Sequence, residues 1–546
     1  MGNPKSHSQA FDFDFLIIGS GFGGSVSALR LSEKGYKVGV LERGKRFGPE
    51  DFAQTNWDLR RYLWLPLLRC FGIQNMSLFR NVLILSGAGV GGGSLVYANT
   101  LLQPGEEFFD ASVWKGLADW RSELLPHYQT ARRLLGVTVY PKRTFVDDLL
   151  NRVADDLGKG DTFKPAQLGV YFGEAGTTVP DPYFGGEGPA RTGCTDCGGC
   201  MVGCRIGAKN TLDKNYLWFA ERRGAKILPE FNVVDVRPVG GVGEDGSQGW
   251  EVIAEKSTDF PIFRKKHVFR ARNLVLSGGV LGTVNLLLRC KNVTRSLPRL
   301  SERLGAVVRT NSEALVGVTE LSHDQERDYS RGVAITSIFH PDEHTHIEPV
   351  RYSKGSSFMR LLAVPMVDGG HPMLRPFKFV LTLLSQPVRT VRLLLHRKWA
   401  ESTVVFLVMQ TLDNHMSFKL GRNLFTLFRK RMTTHVDASM PQVPSYIPVA
   451  HQVARAFAAK VNGVPVSALN EVVLNIPTTA HVLGGCPIGA SVETGVVDRD
   501  QRVFGYRGMW ICDGSVIPAN LGVNPSLTIT AMSERAMSRI PEKAST

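Results

Sequence analysis

Phe13-Asp14-Phe15-Leu16-Ile17-Ile18 is an almost unbroken apolar run, the pattern of a short strand covered on both faces. Residues 25–34 then place apolar side chains at helical spacing, and 36–41 form a second apolar run. The prediction is strand, helix, strand. Runs at 226–236 and 266–277 have the same strand-like character and would join the same sheet. Residues 332–339 and 404–412 alternate apolar and polar positions instead, which predicts a mixed or antiparallel sheet forming a pocket wall. Glycine and acidic residues cluster at 240–249 and mark a hairpin turn. No internal repeat is visible, and the element types indicate an α/β chain.

The first strand and helix are joined by Gly19-Ser20-Gly21-Phe22-Gly23-Gly24. In this G-x-G-x-x-G turn the first glycine permits the tight bend, the second admits a pyrophosphate, and the third packs helix against strand. Glu42 ends the second strand, eighteen residues past the last glycine, where a carboxylate meets ribose hydroxyls and repels a 2′-phosphate. A dinucleotide other than NADP is implied. A second cluster, Ser86-Gly87-Ala88-Gly89-Val90-Gly91-Gly92-Gly93-Ser94-Leu95, lies between apolar flanks and reads as a buried turn close to something large or flat.

Near the other end, His481 lies in Thr478-Thr479-Ala480-His481-Val482-Leu483-Gly484-Gly485-Cys486, a proton acceptor on a glycine-rich turn. Asn524 precedes Pro525 and reads as a turn residue that opens a helix.

With these motifs the chain resembles the glucose–methanol–choline (GMC) flavin oxidoreductases, and within them the bacterial cholesterol oxidase branch. The resemblance runs from about Phe13 to Ile540. It rests on the two glycine loops, on 207–217 and 274–282, and on the block that holds His481 and Asn524. It implies a Rossmann-like FAD-binding domain with a second α+β substrate-binding domain, and hydride transfer from an alcohol carbon to non-covalent FAD. By position His481 and Asn524 match the catalytic pair. Glu348, in His346-Ile347-Glu348-Pro349, matches a carboxylate that shuttles a proton during double-bond isomerisation. Cofactor contacts would come from Gly19, Gly21, Phe22, Gly23, Gly24, Glu42, Gly92, Gly93, Ser94, Tyr97, Ala98, Asn99, Val234 (beside adenine), Gly278, Asp513 and Gly514. One departure stands out: Tyr97-Ala98-Asn99 replaces the Asn-Gly usual in sterol oxidases. The division implied is 11–105, 190–310 and 475–541 for FAD, with 106–189 and 311–474 for substrate.

At 546 residues, 43% hydrophobic and 21% charged, the composition is that of a large globular enzyme. No run approaches the roughly 18–20 apolar residues of a spanning helix. Residues 1–10 are polar and lack a signal-peptide core, so a cytoplasmic protein is expected, although Met1–Ser6 formally fits a myristoylation pattern. The net charge of +14 concentrates at 376–398 and 421–431, without nucleic-acid motifs or interleaved stacking aromatics. In 387–399 Val388, Val391, Leu394 and Leu395 share one helical face, opposite Arg389, Arg392, His396 and Arg397, with Trp399 assigned to the apolar side. Peripheral membrane contact through 376–399 and an ordinary surface helix both fit that pattern.

Four of the eight cysteines form Cys194-x2-Cys197-x2-Cys200-x3-Cys204, a ferredoxin-like iron–sulfur spacing without the usual following proline. An iron–sulfur cluster and plain thiols stand as alternatives, with zinc disfavoured by the short spacing. Three functions follow from the whole: oxidation of a sterol 3β-hydroxyl with oxygen or another acceptor, oxidation of another bulky or long-chain alcohol, or a lipid-binding flavin fold or lyase.

Overall fold

The run Phe13–Ile18 forms the predicted strand in a computed structural model that describes residues 10–322, 327–371, 374–437 and 440–544. The myristoylation pattern lies outside those residues. Phe13–Ile18 pairs in parallel with Val38–Leu41 on one side and with the long strand Lys266–Leu276 on the other. Lys226–Leu228 extends the first edge, again in parallel. Lys266–Leu276 divides its other edge: its first part pairs antiparallel with Trp250–Lys256, and Leu274–Leu276 pair in parallel with Met509–Ile511. Phe231–Pro238 closes the sheet as the other arm of the hairpin predicted at 240–249. Three distant stretches of sequence therefore meet in one sheet.

The helix after the glycine turn is Phe22–Glu33, three residues earlier than its apolar spacing suggests, because Gly23 and Gly24 form its first turn. It packs against the helix Ser526–Ser538. Arg30 Nε lies 2.7 Å from Glu534 Oε2, and the Tyr216 hydroxyl donates to the same carboxylate at 2.7 Å. Arg535, buried, donates to Glu123 at 2.6 Å. Paired buried charges fix geometry more than they add stability. Here they set the helix whose start holds Asn524.

A second sheet is wholly antiparallel, in the order Thr345–Val350, Thr403–Gln410, Ala314–Thr319, Val464–Ala468, Ala363–Pro365. Thr403–Gln410 matches the alternation at 404–412. The alternation at 332–339 gives only Ser337–Ile338 as a strand. The remainder makes single bridges to two places: Gly332 to Cys197, and Ile335 and Phe339 to Val350 and Ile347 of the strand Thr345–Val350.

A small third sheet joins the second glycine motif to the segment of His481. Gln74–Leu78 and Leu83–Gly87 form a hairpin that runs into the second glycine loop. Thr478–Thr479 pair in parallel with Leu83–Ile84, two residues before His481.

The amphipathic segment is two helices, Arg375–Ser385 and Pro387–Leu394, broken where Pro387 cannot continue the first. Their apolar faces point outward. Leu384 is 71% exposed, Val388 71% and Leu395 69%, while Thr390 and Leu393 face inward. Trp399 departs from expectation: it is buried against Ala363 and Ala400 and takes no part in the outer face. No helix among the described residues is long and apolar enough to cross a membrane.

Candidate active site

The two glycine loops touch backbone to backbone. A Cβ on Gly92 would lie 2.7 Å from Gly21 Cα, and Gly92 has a left-handed φ of 51°. Gly91 N–H donates to Ser20 Oγ at 3.1 Å, and Ser94 Oγ accepts from Leu212 N–H at 3.1 Å. A Cβ on Gly21 would meet nothing within 4 Å, so open space faces the N-terminus of the helix Phe22–Glu33. Backbone donors, a helix start and room for a phosphate suit a dinucleotide. Phe22 packs edge-on to Tyr97 at 5.7 Å, with Gly93 and half-buried Ala98 beside them. Asn99 is fully buried with φ 72°, its amide turned toward Cys200.

Glu42 stands at the predicted strand end but is not the free acceptor that its spacing suggests. Its carboxylate accepts from Ser20 N (3.1 Å), Ser20 Oγ (2.8 Å), Gly44 N (2.8 Å) and Gly89 N (3.4 Å). These donors occupy its roughly four lone-pair directions. It pins the loops together, and a ribose hydroxyl would have to displace a donor, of which the Ser20 hydroxyl is the one free to rotate.

The remaining cofactor candidates line the same end of the larger sheet. Val234 is the extra residue of a bulge between Val233 and Asp235, left without a register partner. Gly278 caps the helix Gly279–Asn292, its N–H donating to Thr283 Oγ1 at 3.1 Å. Thr283 Oγ1 in turn donates to Asp513 at 2.6 Å. Burial raises the Asp513 pKa against hydrogen bonds from Ser515 and Thr283. Gly514 N-caps nothing itself but accepts through its carbonyl from Gly484 N–H at 2.9 Å, tying this turn to the His481 loop. The space beside Gly21, the bulge at Val234 and the donor-rich loops fit FAD, which Gly19, Gly21, Gly23, Gly24, Gly92, Gly93 and Ser94 would hold through backbone contacts.

His481, Asn524 and Glu348 converge. His481 Nε2 is 3.5 Å from Asn524 Nδ2, and Asn524 Nδ2 donates to Glu348 Oε2 at 3.2 Å. Asn524 Oδ1 is buried without a partner. Sequence reasoning missed two further members. Glu313 Oε1 lies 2.6 Å from His481 Nδ1, and its other oxygen accepts from Ala480 N–H at 2.8 Å. His346 Nε2 lies 3.0 Å from Glu348 Oε1. The result is one buried line: Glu313, His481, Asn524, Glu348, His346. No local motif flags Glu313, whereas His346 was visible two residues from Glu348 on the same strand face.

Charges along this line are unequal. Burial opposes ionisation of His481, yet the Glu313 carboxylate outweighs it, helped by Glu348, and the imidazole pKa is raised above its usual 6.5. His340, edge-on to His346, is pushed down to about 4 by burial and by His346. Glu471, fully buried near Glu313, is pushed up to about 8 by burial.

Beside this line lies an open, apolar cavity with about 600 Å³ of empty space, lined by Met76, Leu83, Leu315, Tyr352, Trp399 and Val466 among others. Cross-strand partners point to the same face of a sheet. Leu315 pairs with Leu407, and Leu407 with Glu348, so Glu348 shares the face that carries Leu315 into the cavity. Thr478, three residues before His481, lines the cavity as well.

The four cysteines of 194–204 line a separate void, and no group of three or more His, Cys, Asp or Glu among the described residues is placed to hold a single metal ion.

Comparison with known proteins agrees with this architecture. A family profile described as GMC oxidoreductase matches residues 423–533, and one described as NAD(P)-binding Rossmann-like domain matches 17–52. A cholesterol oxidase of Mycobacterium tuberculosis is 50% identical over 545 residues, covering 98% of this chain and 92% of the relative. A cholesterol oxidase of Acinetobacter baumannii is 47% identical over 537 residues, covering 98% and 95%. Among solved structures, pyridoxine 4-oxidase from Mesorbium loti superposes with a TM-score of 0.60 at 14% identity, covering 96% of this chain and 98% of its own, which speaks to the fold alone.

Proposed function

The chain belongs to the GMC oxidoreductases, at the cholesterol oxidase branch, and from that premise we propose that it oxidises the 3β-hydroxyl of a sterol. The observation that carries this reading is the convergence of His481, Asn524 and Glu348, with an apolar cavity on the sheet face that Glu348 shares with Leu315. FAD, when bound, accepts the hydride from the carbinol carbon. His481 Nε2 takes the hydroxyl proton, and Glu313 at Nδ1 holds the ring and stabilises the imidazolium that forms. One Asn524 amide hydrogen points to Glu348, leaving the other to orient the substrate oxygen. Glu348, held between Asn524 and His346, moves a proton between two carbons of the β,γ-unsaturated ketone to give the conjugated product. Oxygen is the acceptor this reading assigns, in the sense that "oxidase" carries in both relatives' names. The reading fails if a panel of sterols shows no turnover while long-chain primary alcohols are oxidised.

Glu348→Gln is expected to retain alcohol oxidation while the unconjugated ketone accumulates, read by absorbance of the conjugated enone. Formation of enone at the wild-type rate would make Glu348 a structural residue.

The outward helices suit collection of the substrate from a bilayer. Eight large apolar side chains at Phe377, Val380, Leu381, Leu384, Val388, Val391, Leu394 and Leu395 are exposed. Each forgoes about 1.5–3 kcal/mol while it stays in water. Arg389, Arg392, Arg397 and Lys398 flank them, as anionic headgroups require. Both helices pack on Ala363–Pro365, and Ala363 lines the cavity. Leu384→Asp with Val388→Asp is expected to reduce sedimentation with phosphatidylglycerol vesicles by at least about tenfold, since two buried leucine-sized groups are worth more than 1.4 kcal/mol. Turnover of detergent-solubilised sterol should stay unchanged. Unaltered sedimentation would remove these helices from membrane contact.

A further inference from the structure

Cys194, Cys197, Cys200 and Cys204 are not used by the alcohol chemistry, yet all four line one common void. We propose that this void holds a [4Fe–4S] cluster with the four cysteines as its ligands. The loop that carries them curls around the space through left-handed positions at Asp196, Gly198 and Gly203. Apart from Thr195 and Lys209, the rest of the wall is glycine and apolar side chains: Gly198, Gly199, Gly332, Val170, Ile206 and Ala208.

Geometry separates a cluster from a single ion. Structural zinc draws its four ligands to about 2.3 Å from one centre. The cysteines here surround a space, and no three of them are placed to share one ion. A four-iron cluster offers one iron to each of four thiolates, which matches four cysteines set around one space. The closely spaced C-x2-C-x2-C-x3-C run is that of cluster ligands. All eight cysteines are free thiols, so no disulfide competes for them.

Charge points the same way. Lys209 is 1% exposed and lines the void, its Nζ donating only to the carbonyls of Leu95 and Cys200 at 3.0 and 2.7 Å. Arg351, 1% exposed, lies directly behind Gly332, and buried Arg191 donates to the carbonyls of Gly207 and Ala208. None of the three forms an ion pair among the described residues, and carboxylates act on them only at longer range: Asp147 and Asp196 on Arg351, and Asp213 on Arg191 and Lys209. A buried cation without a close counter-charge is costly. A [4Fe–4S]²⁺ core with four thiolates carries a net charge of 2−, which answers them. When two ferrous ions, two ferric ions and four sulfides enter, each thiol loses its proton as its Fe–S bond forms, so four protons leave and no net electron is transferred. Backbone donors already face the sulfurs: Asp196 N–H to Cys194 Sγ at 3.5 Å and Lys209 N–H to Cys204 Sγ at 3.4 Å. Such bonds stabilise a sulfur-ligated cluster and tune its potential. The void also adjoins the cofactor loops, since Lys209 bonds the Leu95 carbonyl and lies over the Tyr97 ring at 4.7 Å.

The test is iron, sulfide and zinc analysis, with EPR before and after dithionite, on full-length protein purified without oxygen and again after anaerobic reconstitution with equal amounts of ferrous and ferric iron and with sulfide. About four irons and four sulfides per chain are expected, with a broad absorbance near 400 nm that dithionite bleaches. Cys197, the exposed ligand, is the position least tied to folding. Cys197→Ser should lower cluster content severalfold with the FAD content and circular dichroism of the wild type. Protein that stays free of iron and sulfide after anaerobic reconstitution overturns the proposal, independently of any variant. So does one zinc per chain without sulfide, or a Cys197→Ser protein with undiminished iron. FAD content and sterol turnover are measured on the same samples, so failure here is distinguishable from failure of the alcohol-oxidation reading.

Discussion

Replacing His481 by alanine is expected to lower sterol turnover by about 10²–10⁴-fold, the range for loss of a general base. FAD binding should be unchanged, because the imidazole meets Glu313 and Asn524 and not the glycine loops. The pH profile gives an independent readout. A general base works as the neutral imidazole, and Glu313 raises the His481 pKa above 6.5. The rate should therefore fall as pH drops through that raised value. In Glu313→Gln the carboxylate that favours imidazolium is gone, so the acidic limb should move to lower pH. The same substitution should slow turnover by leaving the ring less firmly held. An unmoved limb in Glu313→Gln would show that another group sets it, and full activity in His481→Ala would remove His481 from the mechanism.

Gly21→Val is expected to yield folded, colourless protein. Gly21 has an ordinary extended backbone, φ −71° and ψ −165°, which valine adopts without strain. Its Cβ would enter space that is open within 4 Å, so nothing in the protein resists the first carbon of the side chain. That space is where the pyrophosphate must approach the helix start. Steric overlap together with lost charge-assisted hydrogen bonds is worth about 3–6 kcal/mol, or about 10²–10⁴-fold in FAD affinity. The measurements are the flavin absorbance of the purified protein and titration of the apoprotein with FAD. Yellow Gly21→Val protein with wild-type flavin content would place the cofactor elsewhere.

Much of the site could be read from sequence because its signals are local. Strand, glycine turn and helix follow one another within 13–33, although the backbone that a Cβ on Gly19 or Gly23 would strike belongs to Ser277 and Cys512. His481 and Asn524 were visible because each sits in a turn whose glycine or proline marks it. Glu348 was visible only through family resemblance. The sheet register then aligned it with Leu407 and Leu315 on the cavity face.

What tertiary structure decided was the partner of each local feature. Glu313 precedes a strand and has no motif of its own. It reaches His481 because Thr478–Thr479 pair with Leu83–Ile84 and Thr479 bonds the Thr310 carbonyl, which draws the two segments together. Glu42 was correctly placed at a strand end, but the approach of Gly44 and Gly89 satisfied its oxygens. The pattern at 387–399 established two faces without saying which one looks outward. That was decided when Leu393 packed with Val464 and Val466, and Trp399 with Ala363, leaving Val388, Val391 and Leu395 in solvent. Periodicity is a property of one segment. Burial depends on what another segment, hundreds of residues away, presents to it.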